Sequence, residues 1–221
     1  MIVVICPGIH PPELTDGFVA ALEKAIATQD SEGIAQQAVD SSALPNAGEA
    51  ASQSSAGREL QLWMLPSGIA PYGPDLIRSH VLERWQQAEL PPSYPTAWIG
   101  FSAGVVGAVV TARRWQREGG LVKGLIAVDG WGVPLGDRCP RFRLGHDRFT
   151  AQSCEWLGAS DGFFYCDPAL GHLDLWRSPQ QSWGHWQPNL KSPFNFNFGQ
   201  LDKGQSINAV QLLAQLLRML A

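Results

Sequence analysis

The sequence predicts an α/β fold: three layers, helix–sheet–helix, around a small, mostly parallel sheet of about five to six strands. Three observations lead there. Short apolar runs such as Ile2–Cys6 are β-branched and uninterrupted, which suits strands covered on both faces. Segments with a helical repeat of apolar residues alternate with those runs. The composition also supplies a core, since 45% of the 221 residues are hydrophobic and only 16% are charged. One domain spanning 1–221 accommodates this.

The elements follow in order. Ile2–Cys6 is the first strand, ended by Pro7-Gly8. Leu14, Phe18, Leu22 and Ile26 recur every four residues and mark a helix. Residues 28–59 turn rich in Ser, Ala and Gln without one aromatic, and read as a flexible insertion with room for a short element over Ile34 to Val39. Leu60–Leu65 is the second strand. Pro74 opens a helix with Ile77, Val81 and Trp85 on one face. Thr96–Phe101 is the third strand, and Ala103–Arg117 a helix closed by Gly119-Gly120. Val122–Val128 and Phe163–Cys166 are the fourth and fifth strands. Ser206 is positioned to cap a last helix that lines up Val210, Leu213, Leu217 and Leu220.

Charge and signals exclude some function classes. A net charge of −4 and short, scattered Arg groups, such as Arg138, Arg141 and Arg143, do not make a nucleic-acid surface. The run after Met1 lacks a basic flank and is too short for a leader or a span, and Ala103 to Ala112 is also too short. Cys6, Cys139, Cys154 and Cys166 have no CxxC spacing and are expected as reduced thiols in the cytoplasm.

The sharpest motif is Gly100-Phe101-Ser102-Ala103-Gly104, a G-x-S-x-G at a strand-to-helix turn. Such a turn lifts a serine out of the sheet in a strained conformation. Chain passes close on both sides, so the flanking positions want glycine. The helix behind it presents free N–H groups to developing negative charge. Gly104, Gly107 and Ala108 keep that helix slim against the sheet.

On this motif and the strand order, the chain resembles the α/β-hydrolase superfamily, specifically a compact serine esterase or lipase-like member. It departs by beginning directly at the strand before the oxyanion loop, without the usual leading hairpin. The resemblance implies the chain order nucleophile, acid, histidine.

Asp129 ends the strand Val122–Val128 and is the expected acid, with Asp167 and Asp147 as alternatives and a plain turn-capping role as the bland one. His172, in a loop after the last expected strand, is the expected base. His146 is the runner-up, with a surface pairing to Asp147 as its bland reading. His80 and His185 are read as structural. Ala103 supplies one oxyanion N–H, with a second from Gly8-Ile9, and His10 fills the same loop. The expected reaction is hydrolysis of a carboxylic ester or thioester through an acyl-enzyme on Ser102, with amide hydrolysis or acyl transfer left open. The alternative is a non-catalytic binding or scaffold protein of the same fold. The expected partner is an apolar acyl substrate. No cofactor or metal is expected, since no HExxH or paired CxxC is present.

Ten of the 21 aromatic residues lie between Trp156 and Phe198. Residues 177–205 read as an aromatic loop excursion, either a core filler or a wall beside the site. Phe194, Phe196 and Phe198 alternate as an edge strand would.

Overall fold

A computed structural model describes residues 1–40, 59–194, 196 and 206–221. Among these, one mixed sheet runs in the order β2-β1-β3-β4-β5-β6-β7-β8. The strands are β1 (Ile2–Cys6), β2 (Gln61–Met64), β3 (Thr96–Phe101), β4 (Val122–Val128), β5 (Arg141–Gly145), β6 (Gly162–Cys166), β7 (Trp183–Pro188) and β8 (Ser206–Asn208). The helices are α1 (Pro12–Asp40), α2 (Pro74–Gln87), α3 (Gly104–Arg117), α4 (Arg148–Glu155), α5 (His172–Arg177) and α6 (Ala209–Leu220). The pairings from β2 through β6 are parallel, and β7 and β8 add on antiparallel.

Alternation along β1 builds two cores. Val3 and Ile5 face one side and pack with Phe18 and Leu22 of α1, Trp176 of α5 and Leu213 of α6. Ile2, Val4 and Cys6 face the other and pack with Val81 of α2 and Val109 of α3. Successive side chains of a strand point to opposite faces, so a strand covered on both sides must be apolar throughout. The apolar run Leu125–Val128 of β4 is explained in the same way.

The sheet is larger than the expected five to six strands, and the missed strands have physical reasons. β5 reads Arg-Phe-Arg-Leu-Gly, and its charges hid it. Arg143 is nevertheless buried, with its guanidinium donating to the Val133 carbonyl at 3.0 Å. β7 carries Gly, His and Pro, and lies within the expected loop excursion over 177–205. Its glycine is needed there, because a Cβ on Gly184 would sit 2.0 Å from the Tyr165 carbonyl oxygen. Phe194 and Phe196 belong to no strand, and Phe198 lies outside the described residues.

The Ser/Ala/Gln-rich stretch also differs from expectation at its start. Thr28 to Asp40 continues α1 instead of beginning a flexible insertion, as the helix-compatible Ala and Gln residues permit. The remainder of 28–59, from 41 to 58, lies outside the described residues, as do 195 and 197–205. At the C-terminal helix Asn208, not Ser206, is the cap: its side chain accepts from the Gln211 N–H at 2.9 Å, and Ser206 opens β8.

Candidate functional site

Strand register brings the candidate residues to one edge of the sheet. Cys6 pairs with Gly100, Phe101 with Val128, Val128 with Leu144 and Gly145 with Tyr165. The residues that follow these strand ends, Pro7-Gly8, Ser102, Asp129 and His146, therefore emerge side by side. The chain also changes direction across the sheet here. After β1 it moves outward to β2, then returns to β3 on the other side of β1. Crevices at such switch points, at the carboxyl ends of strands, are where open α/β sheets bind ligands.

Ser102 has φ 52°, in the left-handed region that non-glycine residues rarely occupy. The turn is over-determined by its neighbours. Ser102 N–H donates to the Val128 carbonyl at 2.9 Å, and its own carbonyl accepts from Val105 N–H at 3.1 Å. A Cβ on Gly100 would stand 2.6 Å from Val105 Cα, and one on Gly104 would stand 2.2 Å from the Cys6 carbonyl oxygen. Both glycines of the motif are thus required by close backbone passage. Gly8 closes the other side, since its Cβ would lie 3.0 Å from the Cβ of Ser102.

A line of hydrogen bonds leaves Ser102. Its Oγ lies 3.1 Å from His172 Nε2, and His172 Nδ1 lies 3.0 Å from Asp129 Oδ2. Such a chain can pass a hydroxyl proton to the imidazole while the carboxylate fixes the ring's tautomer. Asp129 also has a positive φ, 51°, which aspartate tolerates better than most residues. Its N–H donates to the Leu144 carbonyl at 2.8 Å, and its side chain is almost fully buried. The Asp129 hydrogen bond raises the His172 pKa above the ordinary histidine value, against the opposing effect of partial burial.

His172 opens α5 after Gly171 and is held by a stack of rings that the sequence did not reveal. Its imidazole lies on Phe101, with centroids 4.9 Å apart, and Phe101 lies on Trp176 at 4.7 Å. Trp176 is stacked in turn on Phe18, and its indole N–H donates to Thr15 Oγ1 at 3.2 Å. The signal available was Phe101 inside the G-x-S-x-G motif and Trp176 one helical turn after His172.

The alternatives separate cleanly. Asp167 is exposed and faces His185 at 3.4 Å, away from His172's partners. Asp147 caps α4, accepting from Thr150 N–H at 2.6 Å, and helix-cap bonding holds its carboxyl below the usual carboxylate range despite partial burial. His80 sits on α2. His10 lies 3.4 Å from Thr15 Oγ1, with its ring beside Phe101. His146, the runner-up base, instead reaches Asp129: its Nδ1 is 3.0 Å from Asp129 Oδ2 and its N–H donates to Oδ1 at 2.9 Å.

Asp129, His146 and His172 bring one donor atom each within 4.8 Å of one another, the arrangement a cation would need. The distances fit hydrogen bonds better. Both ring nitrogens approach Oδ2 itself at 3.0 Å, whereas zinc ligands converge on a separate point about 2.0–2.2 Å from each.

Two cavities flank the serine. One of about 320 Å³ is lined by Ser102, Val106, Trp131, Val133, Thr150 and His172. The other, about 390 Å³, opens beyond Gly8 between His10, Thr15, Met64 and Ile69. The aromatic wall of the first cavity is Trp131, 67% exposed, with its indole N–H on Ser153 Oγ at 3.1 Å. The aromatic C-terminal stretch divides: Phe164, Trp176 and Trp186 are fully buried in the core, whereas Trp156 and Trp183 are exposed. Beside Ser102, no acceptor takes the N–H of Ile9 or Ala103 among the described residues. Compared with models of protein families and with curated proteins, the chain matches none.

Proposed function

We propose that the protein is a serine hydrolase of the α/β-hydrolase type, cleaving a carboxylic ester or thioester through an acyl-enzyme on Ser102. The observation that carries this is the unbroken line Ser102 Oγ, His172, Asp129, with steps of 3.1 and 3.0 Å. His172 takes the Ser102 proton as Oγ attacks the carbonyl carbon. Asp129 orients the ring and stabilises the imidazolium that forms. The tetrahedral oxyanion is received by the N–H of Ala103 and an N–H of the Gly8-Ile9 loop. Imidazolium then protonates the leaving alcohol or thiol. Water, deprotonated by His172, attacks the acyl carbon and releases the carboxylic acid and free Ser102.

Substrate shape follows from the cavity that Ser102 lines. Trp131, Val106 and Val133 give it an apolar wall, which suits an acyl or alkyl group of modest size. The four free, buried cysteines suit a reducing compartment, and we assign the protein to the cytoplasm. A panel of chromogenic acyl esters of increasing chain length tests the reading. Turnover is expected with a preference for short to medium chains, and Ser102→Ala abolishes it. A Ser102→Ala variant that hydrolyses esters at the wild-type rate refutes the assignment.

A further inference from the structure

The geometry points to His146 as a second positioning histidine, which clamps Asp129 alongside His172. The carboxylate is gripped at both oxygens. Oδ2 receives His172 Nδ1 at 3.0 Å and His146 Nδ1 at 3.0 Å, and Oδ1 receives the backbone N–H of His146 at 2.9 Å. One histidine thus supplies two of the three donors. The Asp129 side chain needs such a grip. It projects from a residue with φ 51° and is almost fully buried, where losing a donor leaves a costly unsatisfied oxygen.

His146 is itself anchored from behind. Its Nε2 lies 3.4 Å from Asp147 Oδ2, and Asp147 is pinned as the cap of α4 by Thr150 N–H. Its carbonyl accepts from the Leu170 N–H at 3.0 Å, two residues before His172. His146 therefore ties together β5, the start of α4 and the loop that carries His172. The rings of His146 and His172 stand edge to face, 5.9 Å apart, so both point N–H groups at one oxygen without stacking. The other titratable groups around the cluster are Asp147 and the thiols of Cys154 and Cys166, both pushed up by burial, the latter to about 12.

The role is distinct from that of the base. His146 makes its contacts to the acid, so it acts on the reaction by fixing where Asp129 points and by sharing the charge on Oδ2. Removing its ring frees one lone pair of Oδ2. The carboxylate then binds the His172 imidazolium more strongly, and His172 deprotonates at higher pH.

This inference rests on the hydrolase reading of Ser102, and two measurements separate the two. The first is ester hydrolysis across pH by His146→Ala, His146→Asn and His146→Gln, with thermal unfolding confirming that each is folded. Asn keeps an amide N–H close to the position of His Nδ1, whereas Gln carries it outward. His146→Ala should lower kcat by about tenfold or more, well short of the roughly 10⁴-fold lost with the acid's own function. KM should stay within about threefold, because the interaction removed is not made to substrate. The acid limb of the pH profile should move to higher pH, a change that simple loosening of the fold would not produce. His146→Asn should restore rate and limb, and His146→Gln should not. Wild-type kcat and limb in His146→Ala, or His146→Asn as impaired as His146→Ala, overturns the proposal.

The second measurement needs no turnover. In Ser102→Ala protein, imidazole nitrogen NMR should show Nδ1 protonated on both His146 and His172, and the His146 signal should vanish in the double variant with His146→Asn. A His146 Nδ1 without a proton overturns the clamp whatever the enzyme assay gives. A Ser102→Ala variant that retains full activity overturns the hydrolase reading while the NMR result still decides the clamp.

Discussion

At the scale of single residues, the site depends on two backbone positions held in the left-handed region. Ser102 at φ 52° and Asp129 at φ 51° both follow buried parallel strands, β3 and β4. Each such residue costs about 1–3 kcal/mol of backbone strain, sustained by surrounding hydrogen bonds. Those bonds are identifiable: Ser102 N–H to Val128, and Asp129 N–H to Leu144. The strain serves to aim two side chains at His172 from adjacent strand ends. Electrostatics at this scale give a pH prediction. The Asp129 hydrogen bond raises the His172 pKa, so the neutral base is fully populated only above that raised value. The rate of ester hydrolysis should therefore climb with pH along a limb lying above about 6.5, the ordinary histidine value. Replacing Asp129 with Asn removes the hydrogen bond that raises it. The limb should move down in pH and kcat should fall by about 10⁴-fold. The same shift makes a modest, solvent-screened contribution to stability. A raised folded-state pKa stabilises the fold below the unfolded value and loses that effect as pH rises through the folded one.

At the scale of elements, a ladder of rings links the core to His172. Phe18 of α1, Trp176 of α5, Phe101 of β3 and the His172 imidazole lie in contact in that order. Trp176→Ala empties a fully buried site at the centre of this ladder. It should lower unfolding free energy by about 3–5 kcal/mol in chemical denaturation, and it should also depress kcat, because His172 loses its backing. Trp176→Phe should recover most of the rate. If Trp176→Ala leaves both untouched, the ladder carries neither role. The elements also show where sequence reasoning works. β1, Ala97–Phe101 of β3 and Leu125–Val128 of β4 are covered on both faces, which favours apolar residues, and their runs stand out. β5 escapes because the Arg143 side chain satisfies a loop carbonyl within the core, a tertiary circumstance that no local pattern encodes. β7 escapes because its Gly184 suits close packing against β6 and its Pro188 comes last, where a strand needs no donor.

At the scale of the whole molecule, the parallel register from β1 to β6 gathers the site. The turn at Ser102 was legible because its demands are local: a tight turn, two close backbone passages and a helix start, all within Gly100 to Gly104. The pairing of Asp129 with His172 rested on chain order and strand ends, since the two lie 43 positions apart and are brought together across β5 and β6. Phe101, Trp131 and the clamp by His146 were not legible, because they depend on which loops the sheet sets side by side. Among the described residues no helix is long and apolar enough to cross a membrane. The four cysteines are buried and unpaired, and burial pushes each thiol up, Cys139 to about 11. Native protein should therefore react sluggishly with a thiol-disulfide reagent and release all four thiols only on denaturation; rapid titration of the native state would contradict the described packing. The claim at the centre is that Ser102 is an activated nucleophile. The direct measurement is labelling of the native protein with a fluorophosphonate, followed by peptide mass spectrometry. A single adduct on Ser102, lost in Ser102→Ala and slowed in His172→Ala, is the predicted result. A native protein that stays unlabelled, or that is labelled equally well without Ser102, would contradict it.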